Sequence, residues 1–288
     1  MPNNSLRVAV LSGKGGTGKT LVSVNLAYVS SPSIYVDCDV EEPNGQYFLQ
    51  PDDPLSLTRE VIEVLIPTID PVICNGCRDC VEFCRFHALA FIKNRPLLFP
   101  EVCHSCGGCE RVCTRGAITR SKRAIGSADN YRSDGIQVIS GAMNIGESSG
   151  VPVIRHVLAI SNNFPEETIV IDCPPGSACV VMESISDADF CVLVAEPTIF
   201  GAHNLRMVHE LVCRSDKPFG VVLNKCQEGW NPSEDYCVDH GIPVLGRIPY
   251  DPLIGQLSSE AKLVSREYPA TERFFREILS NIRKEVAK

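Results

Sequence analysis

Residues 6–20 read Leu-Arg-Val-Ala-Val-Leu-Ser-Gly-Lys-Gly-Gly-Thr-Gly-Lys-Thr. Leu6 to Leu11 is a short apolar run that predicts a buried strand, Ser12 to Gly18 a glycine-rich loop, and Lys19 to Val29 a helix. Gly13, Lys14, Gly15, Gly16, Thr17, Gly18, Lys19 and Thr20 fit the pattern G-x-x-x-x-G-K-T. Glycines let the backbone wrap around phosphates and aim successive N–H groups at them, and the positive end of the following helix adds to the attraction. Lys19 is expected to reach the β- and γ-phosphates of ATP, and Thr20 to ligate Mg²⁺.

The strand–loop–helix opening continues. Ile34 to Asp37 predicts a second strand ending in acidic residues. Thr168 to Ile171 predicts another, ending at Asp172, and Phe190 to Ala195 a further one, followed by a helix from Gly201 to Cys213. Gly220 to Leu223 reads as a strand ending at Asn224, Ile136 to Ile139 as a further strand, and Pro243 to Leu245 as the last. Strands alternating with helices imply an α/β fold, with a parallel sheet covered on both faces.

The middle of the chain breaks this rhythm. Cys74-Asn-Gly-Cys77-Arg-Asp-Cys80-Val-Glu-Phe-Cys84 is followed 29 residues on by Cys103-His-Ser-Cys106-Gly-Gly-Cys109-Glu-Arg-Val-Cys113. Eight of fifteen cysteines thus fall in two C-x₂-C-x₂-C-x₃-C runs, which is metal-site spacing rather than a disulfide framework. Three cysteines so spaced can wrap one cubane, and in two-cluster ferredoxins the fourth of each run ligates the other cluster. The expected assignment is Cys74, Cys77, Cys80 and Cys113 for one 4Fe–4S cluster, and Cys84, Cys103, Cys106 and Cys109 for the second. Arg85 and Thr114 stand where ferredoxins usually carry proline after the fourth cysteine, which puts the local turn in question. Zinc is the alternative metal, but doubled four-cysteine runs fit cubanes better. Apolar positions in this stretch are sparse, so metal must supply much of its folding free energy. Residues 120–135 are polar and partly basic, and read as a solvated connector back into the larger domain. The expected domains are a discontinuous P-loop ATPase domain (1–66 and 121–288) and an inserted small α+β ferredoxin-like domain (67–120).

Bulk properties narrow the function classes. The chain has 288 residues, 44% hydrophobic and 22% charged, with a formal net charge of −8. An acidic chain argues against non-specific nucleic-acid binding. No apolar run approaches the ~20 residues needed to span a bilayer, and Met1 to Arg7 lacks an apolar secretory core. A cytoplasmic protein is expected. Clusters would make it more acidic still, so a redox partner with a basic docking face is expected too.

Lys14 gives the loop the form K-G-G-T-G-K-T, which resembles the deviant Walker A loop of the MinD, ParA, Mrp and nitrogenase-reductase ATPases. That resemblance implies that Lys14 contacts nucleotide across a dimer interface, so the partner is a second copy or a related ATPase. Asp37-Cys38-Asp39 resembles the family's first switch, implying that Asp39 orients or activates the attacking water and lies at the Mg²⁺ site; Asp37 takes a structural or outer magnesium role. Asp172-Cys173-Pro174-Pro175-Gly176 resembles the second switch, where the aspartate holds Mg²⁺ through water. Asn224 resembles the adenine-reading asparagine, and Ile248-Pro249-Tyr250-Asp251 a base-side loop that brings in Pro249. Together with the cysteine runs, the chain resembles MinD-type ATPases carrying an inserted ferredoxin domain.

Seven cysteines remain, Cys38, Cys173, Cys179, Cys191, Cys213, Cys226 and Cys237, and none forms a C-x-x-C pair. Cys179 stands where the nitrogenase reductase places one ligand of its bridging cluster, but no second ligand lies between Thr114 and Asp172. The C-terminal stretch Phe274, Phe275, Ile278, Leu279, Ile282 and Val286 has helical spacing, and packing on the core is expected over membrane binding. Three functions follow: slow, dimer-dependent ATP hydrolysis coupled to electron transfer or redox sensing; delivery of clusters to an accepting protein; or a positioning ATPase with structural clusters.

Overall fold

The computed structural model describes residues 5–288; Met1 to Asn4, part of the N-terminal stretch and of the expected ATPase domain, lie outside the described residues. The chain opens with β1 (Leu6–Leu11), α1 (Lys19–Val29), β2 (Ser33–Asp37) and α2 (Gly45–Phe48). A long strand β3 (Thr58–Ile69) leads to α3 (Asp79–Phe83), the hairpin β4 (Leu89–Ile92) and β5 (Arg95–Leu98), and α4 (Gly108–Val112). Strand β6 (Ile118–Ser133) leads back to β7 (Ile136–Met143), α5 (Val151–Ser161), β8 (Thr168–Asp172), α6 (Cys179–Ser184), β9 (Phe190–Ala195) and α7 (Ile199–Arg214). The chain closes with β10 (Phe219–Cys226), α8 (Pro232–Asp239), β11 (Val244–Pro249), α9 (Pro252–Ser259), α10 (Val264–Glu267) and α11 (Glu272–Val286).

Nine strands form one sheet in the order β11-β10-β9-β1-β8-β2-β7-β6-β3. From β11 to β7 every pairing is parallel. The strand carrying the glycine-rich loop is central, between β8 and β9. Alternation along β1 serves both faces. Ala9 and Leu11 face a core built with α5, α6 and α7, whereas Val8 and Val10 face one built with α1 and α11. Phe275, Ile278, Leu279 and Ile282 of α11 are buried in the second core, so the amphipathic C-terminal helix packs inward as expected. No helix among the described residues is long and apolar enough to cross a membrane.

The expected parallel sheet is present from β11 to β7 and is extended by an antiparallel ribbon, in which β6 pairs with both β7 and β3. Residues 120–135 are not a solvated connector, since β6 occupies most of that stretch. Its charges misled because they are paired, two of them with β3 and one with the loop before β8. Arg59 grips Asp129 through two bonds of 2.6 Å, Lys122 meets Glu63 at 2.8 Å, and Arg132 meets Glu166 at 2.9 Å. Cross-strand ion pairs give a polar strand a partner without an apolar pattern.

The β3–β6 ribbon stays in register as far as Ile69↔Ile118, past the expected bounds at 66/67 and 120/121. Residues 70–117 hang from its tip. They hold two five-residue helices, a two-stranded hairpin and, with Ile118 at the start of β6, a small core around Cys80 and Leu89.

Candidate functional site

The carboxyl ends of β1, β2 and β8 meet at one point, as ligand crevices do in open α/β sheets. Gly16 (φ 78) and Gly18 (φ 99) take the left-handed conformation that costs glycine nothing. Gly13 is demanded by packing, because a Cβ there would lie 2.4 Å from the Asn204 carbonyl oxygen. Inside the loop, Ser12 Oγ and Thr17 Oγ1 both donate to the Lys14 carbonyl.

Lys19 is buried at the start of α1. Its Nζ lies 2.6 Å from Asp172 Oδ1 and 3.4 Å from Asp39 Oδ2. The in-register pair Asp37↔Asp172 brings a third carboxylate beside them. Tyr35 Oη donates to Asp172 Oδ2 at 2.9 Å, and the amides of Gly45 and Asp39 donate to Asp37. Burial works against the Lys19 charge, but Asp172 and Asp39 outweigh it and hold the ammonium above its ordinary value. Burial and the Asp172 charge push Asp37 well above the usual carboxylate range. Asp39 is also raised, by burial, with Lys19 opposing and Asp172 adding. Three carboxylates around one ammonium leave surplus negative charge in a dry site. A divalent cation offsets such a surplus, so the donor set of Asp39, Asp172 and the half-buried Thr20 fits Mg²⁺.

Lys14 stands apart from this group, with its side chain 43% exposed and its Nζ 3.1 Å from Glu196 Oε2. Glu196 also takes Lys225 at 2.6 Å, and the same ammonium donates to the Gly16 carbonyl at 3.0 Å. Burial alone would raise the Glu196 carboxyl, but Lys225 and Lys14 hold it below the usual range. Asn224 is buried and its Nδ2 donates 2.8 Å to the Thr17 carbonyl, so it buttresses the loop. Pro249 is exposed at the end of β11, in register with Cys226.

Sequence reading missed Tyr35 and Glu196. Neither belongs to a motif, but Glu196 follows directly on β9, the strand beside β1, and its place past a strand's carboxyl end was a usable signal.

At the ribbon's tip the eight run cysteines line two pockets. Cys74, Cys77, Cys80 and Cys113 share one, and Cys84, Cys103, Cys106 and Cys109 share the other. The 29-residue repeat recurs in the backbone: Gly76 and Ser105 are both left-handed, as are Arg78 and Gly107, and His87 and Gly116. The Ala117 amide donates to Cys113 Sγ at 3.3 Å. Among the described residues no three His, Cys, Asp or Glu side chains are gathered tightly enough for a single metal ion. A tetrahedral zinc with bonds of about 2.3 Å needs sulfurs about 3.8 Å apart; a cubane spreads its thiolates over four irons. Of the remaining cysteines, Cys38, Cys173, Cys191 and Cys237 are buried, while Cys179 and Cys213 are exposed.

The profile described as the CobQ/CobB/MinD/ParA nucleotide binding domain matches residues 8–264. The chain belongs to this family. The chain is 29% identical over 252 residues to Uncharacterized protein MJ0578 of Methanocaldococcus jannaschii, covering 85% of each. The fold is similar to that of the cell division ATPase MinD of Pyrococcus furiosus (TM-score 0.60, 19% identity, 97% and 99% covered). It is likewise similar to the septum site-determining protein MinD of Pyrococcus horikoshii, solved with Mg-ADP (0.60, 18%, 97% and 96%), and to an ATP complex of a McdA variant from Cyanothece (0.56, 15%, 98% and 97%). At these identities the likeness speaks for the family fold alone.

Proposed function

We propose that the chain is a slow, dimer-dependent cytoplasmic ATPase whose nucleotide state governs an iron–sulfur module in electron transfer or redox-dependent partner binding. The discontinuous ATPase domain (1–66 and 121–288) holds the nucleotide and residues 67–120 form the ferredoxin-like module. Backbone N–H groups of residues 13–20 cradle the phosphates. Lys19 draws the γ-phosphate, and Thr20, Asp39 and Asp172 are the residues that would hold Mg²⁺, which would neutralise charge on the phosphate oxygens. Asp39 orients the water that attacks the γ-phosphorus; the bond to the ADP oxygen breaks, giving ADP, phosphate and a proton. Lys14, exposed on the protein surface, reaches the nucleotide of a second copy or a related ATPase. Asn224 and Pro249 border the base.

The observation that carries the iron–sulfur half is the sorting of eight cysteines into two pockets, each with three ligands from one run and the fourth from the other. A 4Fe–4S cluster supplies one-electron redox chemistry, and this chain's part is to hold it with thiolates and amides such as that of Ala117. Anaerobic reconstitution followed by iron and sulfide analysis tests this reading. About eight irons per chain are expected, and zinc, or about four irons, would overturn it. Lys14→Ala should bind ATP and fail to hydrolyse it; wild-type turnover in that variant would sink the dimer reading.

The positioning reading draws on the MinD and McdA folds. A membrane-attached version is disfavoured because the apolar face of α11 is already buried.

A further inference from the structure

The two cysteine runs differ in what they touch. The pocket of the first is lined only by residues 69–118, the insert and the ribbon's tip. The second reaches the ATPase: Cys103, His104 and Ser105 share a cleft with Glu147 and Ser149, from the segment between β7 and α5, and with Pro152 in the first turn of α5.

That segment is stitched in place from both sides. Toward the insert, Arg123 of β6 grips the Glu147 carboxylate through its two terminal guanidinium nitrogens, and the Asn144 amide donates to the Ile125 carbonyl at 2.8 Å. Toward the nucleotide site stands Val40, the residue after Asp39, only 3% exposed. Its carbonyl accepts the Met143 amide at 2.8 Å. Its two methyl groups rest on two glycines: a Cβ at Gly141 would lie 2.9 Å from Cγ1, and one at Gly150 2.6 Å from Cγ2. Such a contact has no slack, and packed interiors transmit displacement rather than absorb it.

Asp39 is poised to move. Lys19 holds Asp172 and Asp39 at once, and an ammonium that turns to a γ-phosphate must loosen one of them. Asp39 has the longer bond and the more exposed side chain, so its restraint is the weaker.

We infer that Val40 relays nucleotide state through residues 141–152 to the second cysteine run, and that the first run stands outside this route. The inference rests on the ATP-binding part of the proposed function and deepens it: the cluster held by Cys84, Cys103, Cys106 and Cys109 is the nucleotide-responsive one. The other touches only the insert and the ribbon's tip.

The test is amide hydrogen exchange on the reconstituted full chain, free, with Mg·ADP and with Mg and a non-hydrolysable ATP analogue. In the wild type, exchange across residues 103–109 should differ between the two nucleotide states, while residues 74–80 stay unchanged. Val40→Ala frees the glycines of their methyl contacts, and should abolish the response at 103–109 with nucleotide still bound. Glu147→Gln cuts the same route away from the nucleotide and should weaken the response likewise, so the test survives if Val40→Ala folds poorly. An unchanged 103–109 segment in nucleotide-saturated wild type would overturn the relay. So would equal changes in both runs, which mean the insert moves as one body, or a wild-type response in both variants. Iron content and nucleotide binding are measured on the same samples. A chain that binds nucleotide and takes up no iron refutes the cluster reading alone, because the relay is a backbone route read from the same peptides.

Discussion

The nucleotide end of the sheet and the insert at the ribbon's tip reach order by different means. Around β1 the chain buries two apolar cores, with Ile171, Phe190 and Ile278 among many side chains fully removed from water. The insert buries Cys80, Leu89 and Ile118, with a few half-buried neighbours, and leaves Val72, Phe83 and Phe86 exposed. Fewer than about 50 residues with so small a core do not hold together by burial alone. The difference teaches that the ATPase supplies its own stability and the insert borrows it, from the ribbon and from whatever its thiols bind.

The strongest way to break this contrast is to strip the metal proposed for the insert. Chelation under anaerobic conditions should leave amides 70–117 almost unprotected from exchange while β1, β8 and β9 keep their protection. An insert that stays protected would be self-sufficient. Next in size, Phe190→Ala should cost about 3–5 kcal/mol by denaturant unfolding of the ATPase part, with iron content unchanged; linked iron loss would join the two regions. Lys19→Met strands Asp172 and Asp39 without their cation and should abolish nucleotide binding and cost roughly 3–5 kcal/mol in its absence, an effect that added Mg²⁺ should partly offset. Tyr35→Phe removes one bond to Asp172 and should cost about 1 kcal/mol, read as a small shift in unfolding midpoint. Smallest of all, Lys122→Ala on the ribbon breaks an exposed pair, for which no measurable loss is expected.

Legibility followed the same division. Strands β1, β2, β8 and β9 were readable because both their faces are covered, so their sequences are continuous apolar runs. The glycine-rich loop was readable because phosphate binding fixes both residue type and spacing, and the cysteine runs stood out as a repeat by their spacing alone. The β3–β6 ribbon was not. Arg59, Glu63, Lys122 and Asp129 look like loop residues until the partner strand that neutralises them is known, and Pro67 argues against a strand except at an edge, where β3 lies. Tyr35 and Glu196 belong to no motif and act through contacts across the sheet, the one on Asp172 and the other on Lys14 and Lys225.

The ribbon carries one more consequence. Because β3 and β6 remain paired to Ile69↔Ile118, the two ends of the insert emerge from neighbouring strands, about 5 Å apart. Bridging so short a gap costs almost no chain entropy, and β3 is the outermost strand, so nothing else in the sheet depends on what hangs beyond it. The module is a cassette. Val64 and Arg123 face each other in register, and a two-residue Asn-Gly turn between them would close an ordinary hairpin. By the same geometry, the excised piece could be grafted onto any antiparallel edge hairpin that offers two strands at that separation.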